Sequence, residues 1–358
     1  MLSAWLRAQT TGKDTLLLKD GEKLIGKLRR STGATVSFHS DTVGEVSVNW
    51  SKIKELHSAQ KFAVVEKGVK LRTDETGLQI PQGTVSVSDG KVLINAAPNM
   101  PPLTLPLRDT QDVIDMATFE RVVLSRPAWY RNWQGSGSVG LAVVNATQKN
   151  QSYTSAVNFS RDIPGENWMD PETRTTLTFN SAYGELNQPN TPTVKTSIFH
   201  AQGERDRYFS PRFFSFFEAG FDHDYSQGLD LQQTFGGGIG WSALKSKNEQ
   251  LDLRAALVFE NQSFIASSQN QHLVSSLFSE GYNRKFRNKI TFHEDISVTP
   301  AWSNLKAYSG TGDITLTIPI YKPISYTLGV TDSFINNPSP GFRKNSFQFL
   351  SGITYTLP

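Results

Sequence analysis

The 358-residue chain contains no cysteine, which removes disulfide frameworks, thiolate metal sites and cysteine nucleophiles from consideration. That lack also suits a chain that crosses an oxidising compartment. Charged residues are scarce, at 19% of the total, and nearly cancel: 36 basic against 33 acidic, a net +3. Such a balance leaves no electrostatic footprint for nucleic acid, so no nucleic-acid partner is expected. No run approaches the roughly 18 apolar residues of a membrane helix, and the mean hydropathy is −0.37. Neither value excludes a membrane barrel, because alternating strands average out in any hydropathy window.

What the chain does have is alternation. In the last stretch, Ser346–Pro358, the residues Phe347, Phe349, Ile353, Tyr355 and Leu357 share one face. Ser346, Gln348, Gly352, Thr354 and Thr356 share the other, with Leu350 the one large apolar member. A strand with one oily and one polar face is half of a soluble sandwich, or a lipid-facing strand with a polar lumen behind it. The same pattern recurs upstream. Leu177, Phe179 and Tyr183 oppose Arg174 and Thr178; Phe213, Phe217 and Phe221 oppose Glu218 and Asp222; Leu251, Leu253, Leu257 and Phe259 oppose Asp252, Arg254 and Glu260. Leu229, Leu231, Phe235, Ile239 and Trp241 oppose Asp230, Thr234, Gly236, Gly238 and Gly240. Val139, Leu141 and Val143, Tyr153, Val157 and Phe159, Ile314 to Ile320 and Ile324 to Val330 alternate likewise. With weaker segments near 193–202, 271–283 and 287–299, this makes about twelve strands of roughly ten residues or more, the span of a tilted membrane strand. Short basic connections (Tyr321–Pro323, Lys245–Glu249, Asn283–Asn288) alternate with longer polar ones, as periplasmic turns alternate with external loops.

The fold expected is therefore all-β: a small N-terminal β-domain followed by an antiparallel transmembrane β-barrel of about twelve strands. Residues 1–13 read as a frayed or residual signal segment with small residues near Ala8. Residues 14–115 read as one or two periplasmic β-modules, with hairpins at Asp20-Gly21 and Asp89-Gly90. Residues 116–134 read as a linker or strap, with Val113 to Leu124 suited to either a short helix or a strap, and 135–358 as the barrel. Trp129, Tyr130 and Trp133 suit an interfacial aromatic belt.

Two stretches, Asp206–Asp222 with its opening Asp-Arg pair and Leu229–Trp241 with its Gly236-Gly-Gly-Ile-Gly240 run, resemble the salt-induced outer-membrane protein family, domain of unknown function 481. The resemblance spans roughly 135–358 and implies a barrel in the outer membrane, with no assigned activity. Gly352, Tyr355 and Leu357 match the spacing of a C-terminal barrel-assembly signal, which implies the barrel-insertion machinery as a partner. Leu350 and Pro358 depart from that signal.

No constellation demands catalysis. The glycine run lacks the Lys-Ser/Thr and helix of a phosphate loop, and crowding inside a barrel explains it better. The six histidines show no metal-ligand spacing; Asp222-His223-Asp224 is the one tight cluster, read as a polar loop. His293 and Asp295 share a face with Thr291 and Ser297, a row that strand alternation alone produces. Arg174, Glu218, Asp230, Asp252, Arg254 and Glu260 are the expected lumen charges, suited either to a selectivity lining or to a salt-bridged plug. The expectation is a non-enzymatic outer-membrane protein, a narrow pore or a structural barrel without cofactor. It would touch outer-membrane lipid and offer its periplasmic module to a protein or the cell wall. An outer-membrane hydrolase and a soluble secreted β-sandwich are the alternatives.

Overall fold

The computed structural model describes residues 13–69, 71–72, 75–96, 101–145, 149–166, 169–187, 193–287 and 289–357. All but Lys13 of the expected signal segment lies outside them. The chain divides into two compact units, one reaching to Trp129 and including Pro164–Asp170, the other holding Tyr130–Ile163 and Pro171–Pro358.

Nine strands make the first unit: β1 (Asp14–Leu18), β2 (Lys23–Thr32), β3 (Thr35–Ser40), β4 (Gly44–Asn49), β5 (Ile53–Glu66), β6 (Gln82–Ser88), β7 (Lys91–Asn95), β8 (Leu103–Pro106) and β9 (Thr110–Asp115). Their order is β4-β3-β2-β1-β5-β6-β7-β8, and β9 pairs with both β2 and β5. Strands β1, β2, β9 and β5 thus close a small four-stranded ring. Asp89 and Gly90, at φ 50° and 71°, supply the two positive values that a tight hairpin turn between β6 and β7 requires. Inside, Leu16, Leu28, Phe38, Leu56 and Phe62 are buried, each contributing about 1.5–3 kcal/mol by leaving water. Asp14 is buried as well, and its carboxylate accepts from Leu28 N–H at 2.7 Å and the Ser58 hydroxyl at 2.5 Å. It thereby satisfies a break in the ladder, since β5 shifts register between His57 and Lys61.

Residues 116–124 are not a linker. A short helix α1 (Met116–Phe119) and the helical turn Glu120–Leu124 bury Phe119, Val122 and Val123 in a second core with Ala63, Val65, Ile114 and Met169. Their apolar spacing is that of a packed helical face, so this stretch belongs to the N-terminal unit.

Asp112 on β9 is buried. Burial pushes its carboxyl up to about 6, with Arg30 and a hydrogen bond from Gln111 offsetting only part of that rise. The folded state therefore holds a proton that the unfolded chain releases near pH 4. The contribution of Asp112 to stability is fully present below that pH and is lost as pH rises through about 6. In pulse proteolysis of the full chain, Asp112→Asn should raise the module's urea midpoint at pH 7 and leave it unchanged near pH 4. A lower midpoint at pH 7 would mean that Arg30 outweighs burial.

The second unit is a closed barrel of consecutive antiparallel neighbours. Its strands are β10 (Trp133–Asn145), β11 (Lys149–Ile163), β12 (Thr173–Asn187), β13 (Val194–Tyr208), β14 (Phe213–Asp224), β15 (Leu229–Lys245), β16 (Glu249–Phe264), β17 (Gln271–Lys285), β18 (Thr291–Thr299), β19 (Ser309–Tyr321), β20 (Ile324–Ile335) and β21 (Asn345–Thr356). The weakly alternating segments are genuine strands: all but the first residue of 193–202 lies in β13, 271–283 in β17 and most of 287–299 in β18. A 15-residue strand such as β12, tilted about 40°, rises about 38 Å, more than the roughly 30 Å of a hydrocarbon core. Closure joins β10 to β21 through Ser136↔Thr356, Gly137↔Tyr355, Ser138↔Thr354 and Val139↔Ile353. An even strand count brings both barrel termini to the end with short turns. Five connections lie there: short turns between β13 and β14, β15 and β16, β17 and β18, and β19 and β20, and a longer one from Ile163 to Thr173 between β11 and β12.

Candidate functional site

Each barrel strand sends alternate side chains outward and inward. The outward set is apolar and exposed: Val139, Leu141, Phe217, Ile239, Leu257, Phe347 and Phe349 all show more than half their surface. No second sheet covers them in the described residues. The oily faces are an exterior rather than a core, and this excludes the sandwich alternative.

The inward set is polar and buried. Arg174 (β12) donates Nε–H to Asp206 (β13) at 2.7 Å and Nη2–H to Asp252 (β16) at 3.1 Å. The second bond spans four strands and so crosses the lumen near the short-turn end. Arg254 (β16) reaches Glu204 on β13 at 3.5 Å and Asp295 on β18 at 3.9 Å. The Asp206 and Asp252 side chains are 1% and 5% exposed, so the two guanidiniums are what makes those carboxylates tolerable away from water. Ser242 and Gln250 also donate to Asp252, at 2.7 and 2.8 Å. Phe214 lies under both arginines, with their guanidinium carbons 5.5 and 6.0 Å from its ring centre.

Above this lattice, Glu218 is buried and accepts from the Gln202 amide at 3.3 Å. Glu260 is buried and accepts from Gln262 at 3.4 Å. His200 and Asp222 pair at 2.5 Å. The far mouth is bridged. The β14–β15 turn, Tyr225–Gln227, lies half the circumference away from β20 and β21. Yet the fully buried Gln227 amide donates to Ser333 O at 2.9 Å and Lys344 O at 2.7 Å. Ser226 Oγ meets Ser346 Oγ at 3.1 Å, and Leu229 and Phe264 pack on Ile335.

Five of the six expected lumen charges, Arg174, Glu218, Asp252, Arg254 and Glu260, face the interior. Asp230 does not: it is exposed. The β15–β16 register shifts between Leu229 and Leu231, and this bulge turns Leu229 inward and Asp230 out, where its carbonyl accepts from His223. The Asp222-His223-Asp224 cluster is strand, not loop, and it disperses. Asp222 pairs with His200, His223 stacks on Phe199, and Asp224 caps the mouth turn through Ser226 N–H at 2.8 Å. His293 bonds Asn283 while Asp295 turns to Arg254, so no triad assembles from that row.

The interior is also less polar than alternation implies. Phe214 and Phe216 face inward, buried with Ala256 and Val258. Their space comes from the glycine run, since Phe214 opposes Gly240 and Phe216 opposes Gly238. A Cβ on Gly240 would collide with the Phe214 ring, and one on Gly238 with the Ala255 carbonyl. Leu350 is housed in the same way, opposite Gly329 and beside Gly140 across the seam.

Of the barrel-assembly residues, Tyr355 and Leu357 are exposed on the outer face. Gly352 lies in the seam, where a Cβ would come 2.5 Å from Val139 O. Tyr130 is exposed and Trp133 opens β10, edge-on to Phe159. Trp129, also exposed, belongs to the N-terminal unit instead.

A closed antiparallel barrel with strands long enough to span hydrocarbon, an apolar exterior and a charged interior is a transmembrane β-barrel. The chain belongs to the family described as "Protein of unknown function, DUF481", whose model matches residues 137–357. No curated protein matches the sequence. Among solved structures, it is similar to the NanC porin at 8% identity, covering 62% of this chain and 96% of that one, with a TM-score of 0.35. The translocator domain of the autotransporter NalP from Neisseria meningitidis is similar at 11% identity, over 62% and 87%, with a TM-score of 0.32. BamA from Haemophilus ducreyi, lacking POTRA domains 1–3, is similar at 8% identity, over 98% and 75%, with a TM-score of 0.23.

Proposed function

We propose that this protein is a non-enzymatic outer-membrane barrel whose lumen is braced shut by its own side chains. Its short-turn end and N-terminal β-module face the periplasm. The observation that carries this reading is the double crossing of the lumen, by Arg174–Asp252 near one end and by the Gln227 turn at the other. A braced interior suits a structural envelope protein, and the module then offers its surface to a periplasmic protein or the cell wall. A narrow pore is the second reading, favoured by the way the mouth turn is joined to β20 and β21 by side-chain contacts, from Gln227, Ser226 and Leu229, and not by ladder pairing. The C-terminal strand, with Gly352 in the seam and Tyr355 and Leu357 outside, is the segment that the insertion machinery would engage.

Membrane fractionation tests the reading. The chain should resist carbonate, extract with detergent, and run at different mobilities heated and unheated. Recovery in the soluble fraction, with one mobility, would refute the membrane barrel.

A further inference from the structure

Two neighbouring short turns of the barrel are strongly basic. The stretches 245–249 and 284–290 carry Lys245, Lys247, Arg284, Lys285, Arg287 and Lys289 against one carboxylate, Glu249. Between them lies a cavity of about 360 Å³, lined by Ser246, Asn248 and Glu249 from one turn and by Arg284, Lys285, Phe286 and Arg287 from the other. The walls are fixed to each other, since Lys285 N–H donates to Asn248 O at 2.8 Å. Glu249 is already engaged: the Tyr282 hydroxyl donates to it at 2.5 Å, and Arg284 lies 3.8 Å away. Arg284 also covers the Phe286 ring at 5.3 Å. Lys285 and Arg287 are exposed, and among the described residues neither is paired with a carboxylate. The cavity therefore offers two uncommitted cations and the Asn248 amide, while the Ser246 hydroxyl already donates to Glu249 O at 3.3 Å. Immediately beside it begins the apolar exterior, where Leu244 and Phe286 stand exposed.

Cations with neutral donors suit a phosphate, and a phosphate at the edge of an apolar wall is the signature of a lipid headgroup. We propose that this cavity seats the phosphate of an anionic phospholipid, its acyl chains lying along the outer face of β15–β18. The proposal rests on the membrane reading above, with the short-turn end against a phospholipid leaflet.

The test is native mass spectrometry of the full chain in neutral detergent, with phosphatidylglycerol or phosphatidylcholine added. The wild type should retain phosphatidylglycerol in preference. Each basic residue near an anionic lipid surface changes partition about fivefold, so Lys285→Gln/Arg287→Gln should reduce that preference about 10- to 30-fold. Arg212→Gln/Lys322→Gln, which removes equal charge from the same end, should preserve it. Equal retention of both lipids, or equal loss in both double variants, would overturn the site while the heat-dependent mobility shift kept the barrel reading intact. Binding of inorganic phosphate as strong as that of the lipid would overturn the lipid assignment in favour of a soluble anion. A chain with no mobility shift would overturn both readings together.

Discussion

Arg174→Ala is expected to destabilise the barrel by about 3–5 kcal/mol, the usual cost of leaving buried carboxylates without their cation. The guanidinium serves Asp206 and Asp252 at once, at 2.7 and 3.1 Å, and neither carboxylate can turn to solvent. Arg254 cannot replace it, because it lies 3.9 Å from Asp252 and is already shared with Glu204 and Asp295. The effect is read as a lower temperature for conversion of the fast-migrating folded band. A rescue separates charge from packing. Arg174→Met combined with Asp206→Leu and Asp252→Leu removes every orphaned charge and should recover most of the loss, since apolar replacement of a buried ionic cluster is often neutral. A single variant as stable as wild type would mean that water already screens the lattice.

The second large effect is steric. Gly238→Val should abolish the folded band, because the obstacle to a side chain there is backbone, the Ala255 carbonyl, and the β15–β16 ladder cannot yield without parting. Forcing atoms into packed space costs about 1–3 kcal/mol where side chains can give way, and more where they cannot. Gly312→Ala is the matched control, since a Cβ there meets nothing within 4 Å. Normal folding of Gly238→Val would show that the interior at Phe216 is looser than its contacts indicate.

Much of this barrel is legible in the residues because the alternation of a membrane strand is a local property. Phe347, Phe349 and Ile353 declare their face without knowledge of any neighbour. The same rule misleads where a strand departs from strict alternation or packs against itself. A bulge leaves no compositional trace, so Asp230 reads as inward although the shift at Leu229 turns it out. Phe214 and Phe216 sit among polar inward residues, and only the register that sets them against Gly240 and Gly238 shows why they fit. The helical turn of 116–124 is only one of two readings in the sequence, since nine residues give too few repeats to separate a packed helix from a strap. The lumen charges could be named from alternation, but not their partners. Arg174 and Asp252 are 78 positions apart, and their meeting depends on how the closed barrel brings β12 to face β16. The mouth turn was the least legible of all, because Gln227 makes its bonds to backbone carbonyls, which carry no residue identity.

The most direct test of the central claim is ion conductance of the purified chain in a planar bilayer. A lumen crossed by Arg174–Asp252 and bridged by Gln227 should leave the wild type near baseline. Arg174→Ala combined with Gln227→Ala, which removes the Arg174–Asp252 bond and the two Gln227 amide bonds at the mouth, should raise conductance in discrete steps above the wild type. Steady open-channel conductance from the wild type would contradict the account, and the interior charges would then be the lining of a working pore.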